Sequence, residues 1–390
     1  MTSLNNAGLS AKAVKYDYFY HCMLTEKKKR LLTIFITYIL IELTCFIFIK
    51  SGLIRTKLPD FKYSFTLTEY PFEVADIDSV WGSWHYREHV HRKLSCLNLD
   101  YNINSWGARD NERTLHSPDT DRVVVLGDSF MEGYGMEQSE RLSDQLQNKT
   151  NRAFINLSCQ EFGTTQEFLV YKNLGLKFDH STILIGVFPY NDFEDNDTSI
   201  HMNPYYKRFR PYFKGTFPDY HLIYIEDSIQ KTNFNKQGFL RKENSARARL
   251  VRFLRSYTCW FNIVTYASDY LSGNNAIGSL GYFHYSGEQW NKMCFILKKI
   301  LDLGKNKRII IVTIPTSADI KEYRKSGIPS LHAAMDSFAK SNAIEYVDLL
   351  PSFASRPHSE QEFYFDCDRH WNQAGNKFAA EILLPLFRRR

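Results

Sequence analysis

Four side chains in this chain are of types that could together perform nucleophilic acyl chemistry. Ser129 and Asn191 each follow an unbroken apolar run, and Asp368 lies two residues before His370 near the C-terminus. Runs of Val, Ile and Leu without alternation are typical of strands buried on both faces of a parallel sheet, and chemistry collects where such strands end. The pattern therefore places Ser129 where a nucleophile would lie.

The residue types suit this task. A serine hydroxyl is a weak nucleophile until a base removes its proton, and a neutral imidazole is such a base at physiological pH. In an extended segment residues i and i+2 project to the same side, so the Asp368 carboxylate can reach the His370 ring and fix its tautomer. Structural alternatives remain: Ser129 or Asp368 as a helix N-cap, and Asn191 as an Asx-turn residue.

Four segments resemble, in order, the motif blocks of the GDSL-type, or SGNH, hydrolase superfamily: Gly127-Asp-Ser-Phe130, Gly163, Asn191-Asp192 and Asp368-x-His370. The resemblance covers residues 98 to 388. It implies that Ser129 is the nucleophile and His370 the base. It further implies an oxyanion hole formed by the Ser129 and Gly163 backbone N–H groups and the Asn191 amide. Gly163 as an ordinary turn glycine is the alternative.

One departure from the family pattern concerns the triad acid. Most members place it three residues before the histidine, where this chain has Cys367, so the acid is expected to be Asp368. The resulting D-x-H-W spacing is similar to the branch that includes the alginate acetylation proteins and the SGNH domains attached to membrane acyltransferases. That resemblance implies acetyl groups of a cell-envelope glycan as substrate, with a membrane acyltransferase as a candidate partner.

Residues 31–50 form an apolar segment long enough to cross a bilayer, and no small-residue cleavage pattern of a signal peptide follows it. Lys27-Lys-Lys-Arg30 precedes the segment, which favours a cytoplasmic tail over residues 1–30 and a catalytic part in the periplasm or another extracytoplasmic space. Glu42 inside the span is costly and indicates a partner helix or a position near the interface.

The rest of the chain is expected to alternate strand and helix, which favours a flavodoxin-like three-layer α/β/α sandwich around a parallel five-stranded sheet. The predicted strands are 122–126, 153–157, 182–187, 308–314 and 345–348. The predicted helices are 139–147, 165–175, 287–303, 329–341 and 374–386. The domain prediction assigns 51–97 to an approach segment and 98–390 to the hydrolase-like domain. An insertion at 194–285 contains a basic helical segment around 241–257.

The net charge of +6 accompanies no nucleic-acid motif, so anionic lipid head groups are the expected partners of the basic clusters. One competing motif, His85-Tyr-Arg-Glu-His89, has the H-x-x-E-H spacing of inverted zinc metallopeptidases. The sequence identifies no third metal ligand for it, and we expect neither a metal nor another cofactor.

These observations favour a membrane-anchored enzyme that takes an acyl group onto Ser129 and passes it to water or to a sugar hydroxyl. Both reactions share one acyl-enzyme, so the sequence does not choose between them. A lipid or thioester esterase is the first alternative. A non-catalytic glycan-binding module on the same fold and a metallopeptidase are the others.

Overall fold

The computed structural model describes residues 7–51, 53–54, 59, 76–85, 90–93, 98–197, 210–224, 245–271, 281–365 and 370–388. The chain divides into two compact units. One consists of Met1–Thr68 with Gly238–Ala276, and the other of Glu69–Gln237 with Ile277–Arg390.

A five-stranded parallel sheet forms the centre of the larger unit. Its strands are β5 (Val123–Leu126), β6 (Phe154–Asn156), β7 (Thr182–Val187), β10 (Arg308–Thr313) and β11 (Glu345–Asp348). They are ordered β11-β10-β7-β5-β6, and every neighbouring pair is parallel. This is the flavodoxin-like order. The predicted sheet is confirmed, and each strand lies within one residue of its predicted bounds.

Helices flank this sheet on the larger unit. They are α2 (Ser129–Glu132), α3 (Leu142–Thr150), α4 (Thr164–Asn173), α5 (Pro189–Asp195), α8 (Gly287–Leu303), α9 (Ser317–Ser326), α10 (Ser330–Ser341), α11 (Leu349–Ser355), α12 (Ser359–Glu362) and α13 (Gln373–Phe387). Helix α3 packs against α13, and α4 packs against α8. The five predicted helices are present. The first begins three residues late, at Leu142, because a 3₁₀ turn over Gln138–Glu140 precedes it.

Three antiparallel strand pairs lie outside the main sheet. They are β1 (Asp76–Asp78) with β2 (Gly82–Trp84), β3 (Val90–Lys93) with β4 (Asn98–Tyr101), and β8 (Pro211–Thr216) with β9 (Asp219–Tyr224). The first two fall in or beside the predicted approach segment, and the third falls in the predicted insertion. The domain boundaries themselves stay predictions.

The smaller unit contains α1 (Ala7–Lys50), α6 (Ala246–Tyr257) and α7 (Cys259–Leu271). The stretch Glu26–Lys50 of α1 is long and apolar enough to cross a membrane. Helix α1 begins within the predicted tail, so helical structure precedes the apolar segment. Helix α6 matches the predicted basic helical segment.

Glu42 has the partner helix that its position in the apolar segment indicated. Its Oε2 accepts a hydrogen bond of 2.7 Å from the backbone N–H of Cys259, the first residue of α7. The first N–H groups of a helix have no partner within the helix, and a carboxylate there is favourable. Glu42 thus caps α7.

We expect Glu42→Ala to loosen the contact between α1 and α7, because a buried N–H would lose its acceptor. The cost should be about 1 to 2 kcal/mol, which corresponds to about a 5- to 30-fold change in local opening. The measurement is the rate at which the buried Cys259 thiol of the full-length protein in detergent reacts with a maleimide.

Glu42→Gln should label at nearly the wild-type rate, because the amide oxygen still accepts the hydrogen bond. Thr44→Ala is the matched control on the same helix, since the Thr44 hydroxyl donates to Leu40 O of its own helix. Equal labelling rates in Glu42→Ala and Thr44→Ala would contradict the capping role.

Candidate active site

A tight turn at the end of β5 presents Ser129. Gly127 has φ +155°, and a Cβ there would lie 2.4 Å from Met131 Cγ, so the position accepts glycine alone without rearrangement. Asp128 follows as the N-cap, with its Oδ1 accepting from Phe130 N at 2.9 Å. Ser129 is therefore not the cap but the first residue of α2, and its side chain remains available for chemistry.

The turn brings Ser129 to His370. Ser129 Oγ and His370 Nε2 are 2.7 Å apart, although the residues are separated by 241 positions. The His370 ring is stacked on Tyr134 at 4.3 Å between centroids and packs against Phe130 at 4.9 Å. These aromatic rings restrict the imidazole, so that Nε2 faces the hydroxyl that it would deprotonate.

The loop that carries His370 is held by backbone pairing and by a buried tryptophan. Phe365 N donates to His370 O at 3.0 Å, and Tyr364 forms a bridge with Trp371. The Trp371 ring stacks on Phe353 at 5.2 Å between centroids. His370 is thus anchored directly to the hydrophobic core.

Asp368, the predicted acid, lies outside the described residues, and its role stays a prediction. The alternative in which Asp368 caps the terminal helix does not hold. Asn372 is the N-cap of α13, and its Oδ1 accepts from Gly375 N at 3.1 Å.

The three predicted oxyanion donors differ in their present partners. No described residue accepts from the Ser129 N–H, which lies in the first turn of α2. The Gly163 N–H instead donates to Gln166 Oε1 at 3.1 Å. Asn191 is half-buried, and its amide N–H group interacts with the Asp128 carboxyl. Its Oδ1, which can only accept, has no hydrogen-bond partner within the described parts of the chain. The role predicted for Gly163 requires its N–H to exchange Gln166 for a substrate oxygen.

A close approach explains the glycine at position 163. A Cβ there would lie 2.9 Å from Asp195 Cβ and 3.2 Å from Arg210 Nη2. The backbone conformation is extended, with φ −108°, so space rather than a left-handed conformation requires the glycine.

Ser129 and Asn191 lie on either side of the point where the strand order of the sheet reverses. Ser129 follows β5 and Asn191 follows β7, which are neighbours in the sheet. The chain leaves β5 toward the β6 edge, and the connections after β7 lead toward β11. Such a reversal opens a crevice at the carboxyl ends of the two strands, where ligands bind in open α/β sheets.

Three fully buried carboxyl groups, those of Asp128, Glu167 and Asp192, lie beside this crevice. Burial raises the pKa of the Asp128 carboxyl to about 7, while the Phe130 N–H, His370 and Asn191 partly offset it. Burial and the neighbouring carboxyls also raise the pKa of Glu167 and of Asp192 well above their usual values. Such shifts concentrate at functional sites.

Sequence reasoning did not assign these carboxyls a role, nor did it find Tyr134. The signal for Asp128 and Asp192 was their adjacency to Ser129 and Asn191 in the motifs. Nothing in the sequence pointed to Tyr134 or Glu167, because their contacts depend on tertiary packing.

His85, the first residue of the H-x-x-E-H motif, is buried at the far end of the serine turn. Its Nε2 lies 3.4 Å from Oε1 of Glu132, the last residue of α2. Glu88 and His89 of that motif lie outside the described residues.

The strand order, the serine turn and the histidine loop together define the architecture of this unit. The fold is a flavodoxin-like α/β sandwich around a five-stranded parallel sheet, which is the architecture that the resemblance to SGNH hydrolases implied. No family model and no curated protein matches the sequence.

Several solved structures are similar to this chain at low identity. A lipolytic protein of the G-D-S-L family from Veillonella parvula is 11% identical, with 68% of this chain and 97% of that chain covered and a TM-score of 0.36. A GDSL-like lipase from Bacteroides thetaiotaomicron is 10% identical, with 70% of this chain and 91% of that chain covered and a TM-score of 0.36. A lipase/acylhydrolase from Enterococcus faecalis is 13% identical, with 68% of this chain and 94% of that chain covered and a TM-score of 0.35. Because these scores are low, the functional inference rests on the geometry of the site.

The raised pKa of Asp128 predicts a pH-dependent stability. The folded state keeps this proton up to about pH 7, whereas an unfolded carboxyl releases it near 3.8. The unfolded state therefore binds fewer protons between these values, and the free energy of unfolding falls as pH rises through them. Asp128→Asn removes the cost of ionising this buried carboxyl, and the asparagine side chain can still cap α2. The substitution should therefore raise the Tm at pH 8 more than at pH 5.

Thermal melts of the full-length protein in detergent at both pH values measure this difference. The exposed Asp302→Asn is the control and should shift the Tm equally at both. A Tm of Asp128→Asn that falls below wild type more at pH 8 than at pH 5 would show that the carboxyl is stabilised as the anion.

Proposed function

We propose that this protein catalyses serine-dependent acyl transfer from an ester through an acyl-enzyme on Ser129. The observation that carries the proposal is the 2.7 Å contact between Ser129 Oγ and His370 Nε2 at the carboxyl end of a central parallel strand. Nucleophile and base within hydrogen-bond reach are the geometric requirement for this chemistry.

In the first step His370 Nε2 takes the Ser129 proton while Oγ attacks the ester carbonyl carbon. The tetrahedral intermediate carries a negative oxygen, which the Ser129 N–H and the Asn191 amide would stabilise, together with Gly163 once its N–H is released from Gln166. The C–O bond to the leaving alcohol then breaks, and His370 returns the proton to that alcohol. Asp368 would orient the imidazole and stabilise its charged form.

In the second step the oxygen of an acceptor hydroxyl attacks the acyl carbonyl carbon while His370 removes its proton. The bond between that carbon and Ser129 Oγ then breaks, and His370 returns the proton to Ser129. Water as acceptor gives an esterase or deacetylase, whereas a sugar hydroxyl gives an O-acetyltransferase. The proposal of acetyl groups on a cell-envelope glycan rests on the D-x-H-W spacing of Asp368, His370 and Trp371. A membrane acyltransferase that supplies or receives the acyl group belongs to the same proposal.

The proposed location follows from the N-terminal charges. The basic cluster 27–30 precedes the apolar part of α1, which supports a cytoplasmic N-terminus and an extracytoplasmic catalytic unit. An acetylated envelope glycan would be accessible from that side.

Ser129→Ala should abolish turnover of p-nitrophenyl acetate by the full-length protein in detergent, with a loss of at least about a thousandfold. The reason is that no acyl-enzyme can form without the hydroxyl. The wild type should also be labelled by a serine-reactive phosphonate, and Ser129→Ala should not.

Ser143→Ala is the matched control, because Ser143 is also a buried serine and its hydroxyl donates to Asp144 rather than to a histidine. A wild type that neither turns over the ester nor reacts with the phosphonate would support the glycan-binding alternative. Turnover of long-chain or thioester substrates in preference to acetyl esters would favour the lipid or thioester esterase.

Asp368→Asn should lower kcat by about a thousandfold or more if Asp368 orients His370, because the wrong tautomer would present a proton to Ser129. Asp366→Asn, a second acid two residues earlier, is the control and should retain activity. The kcat values of the two variants decide the assignment. Retained activity in Asp368→Asn with lost activity in Asp366→Asn would move the role to Asp366.

A further inference from the structure

Three side chains that the proposed mechanism does not use meet behind the nucleophile turn. They are His85, just after β2, Glu132, the last residue of α2, and Cys159, just after β6. Their ligand atoms lie within 4.8 Å of one another, and all three residues are buried. We infer that His85, Glu132 and Cys159 form a binding site for a divalent transition metal ion, with Zn²⁺ as the best match.

The protonation of His85 supports a metal ligand. Its Nδ1 lies 3.0 Å from Gly107 O, and because a carbonyl oxygen only accepts, Nδ1 carries the proton. In a neutral ring the lone pair of Nε2 then points toward Glu132. Metal-bound histidines commonly donate their other ring N–H to a carbonyl in this way.

Glu132 has the complementary arrangement. Its Oε2 accepts from Gln160 N at 2.6 Å, which leaves Oε1 facing His85 Nε2. Among the described residues neither of these two facing atoms has a hydrogen-bond partner, although His85 is 2% exposed and Glu132 is fully buried. The nearby Arg109 guanidinium donates to the carbonyls of Gly133 and Met136 and not to this carboxylate.

The separation of the facing atoms favours a metal over a direct ion pair. His85 Nε2 and Glu132 Oε1 are 3.4 Å apart, whereas a charged N–H···O bond is about 2.7 to 2.9 Å. Two ligands of a tetrahedral Zn²⁺, at Zn–N and Zn–O distances of about 2.0 to 2.2 Å, are separated by about 3.3 to 3.5 Å. The observed distance falls in the range expected for two ligands of one ion.

The charges of the three ligands suit a buried site. A neutral imidazole, a carboxylate and a thiolate carry two negative charges, which one divalent cation neutralises. Uncompensated charges at these positions would be costly in the protein interior. Three protein ligands leave the fourth tetrahedral position open to a water molecule. The ion would fix the end of α2 to the loops after β2 and β6 and thereby position the turn that presents Ser129.

Metal content of the full-length protein, purified in detergent without chelator, tests the inference. The wild type should contain about one zinc per chain, and Cys159→Ala should contain almost none. Cys294→Ala, a substitution of a half-buried cysteine in α8, should keep the ion. Circular dichroism of each variant checks that it is folded.

Cobalt substitution gives a second measurement that does not depend on activity or on the variants' folding. Protein stripped with a chelator and titrated with Co²⁺ should develop a thiolate-to-cobalt charge-transfer band in the wild type. Chelator should also lower the Tm of the wild type, since the ion binds only the folded state.

Two outcomes would overturn the site. A folded wild type that holds no metal and gives no thiolate band with Co²⁺ would show that His85 and Glu132 form an ion pair alone. Zinc retained in full by folded Cys159→Ala would place the metal elsewhere. Because metal content is measured without substrate, either result is independent of the acyl-transfer proposal.

Discussion

The contact between Ser129 and His370 depends on the order of the central strands. Because β5 and β7 are neighbours while the chain proceeds from them in opposite directions, their carboxyl ends border an open crevice. The C-terminal loop can then bring His370 over the end of β5, and Trp371, 1% exposed, secures it in the core. The geometry of two side chains thus follows from the topology of the whole sheet.

Three carboxyls under this crevice would oppose a negatively charged intermediate if they were ionised. Burial raises the pKa of all three carboxyls, which favours their neutral forms. The environment therefore remains less negative than its composition implies. In the proposed mechanism, a positive charge on His370 would favour the ionised form of Asp128, so the two groups would be coupled. Burying these acids lowers the free energy of unfolding, and such destabilising features are common at functional sites.

The sheet and its main helices could be predicted because buried parallel strands have an unmistakable composition. The run 182–187 is entirely buried, and its bounds were predicted correctly. Helix α9 was missed since it is mostly polar, and its signal lies in the capping box between Thr316 and Asp319 rather than in an apolar stripe. The serine and the histidine were found through motifs that mark the ends of elements. Tyr134, Glu167 and the partners of His85 could not be found, because their contacts join segments whose spacing in sequence carries no pattern.

Ser129 lies on a helix of four residues, which has too few internal hydrogen bonds to be stable alone. Its position must come from its two ends. At the start, the Asp128 side chain caps the helix and Gly127 allows the strand to turn. At the end, the Glu132 carboxylate is held by Gln160 N and faces His85, while Arg109 binds the Gly133 carbonyl. These partners come from the residue after β2, from the loop after β6 and from the segment before β5. Consequently the serine reaches its place only when distant parts of the unit have packed, and formation of the site is inseparable from folding of the sheet.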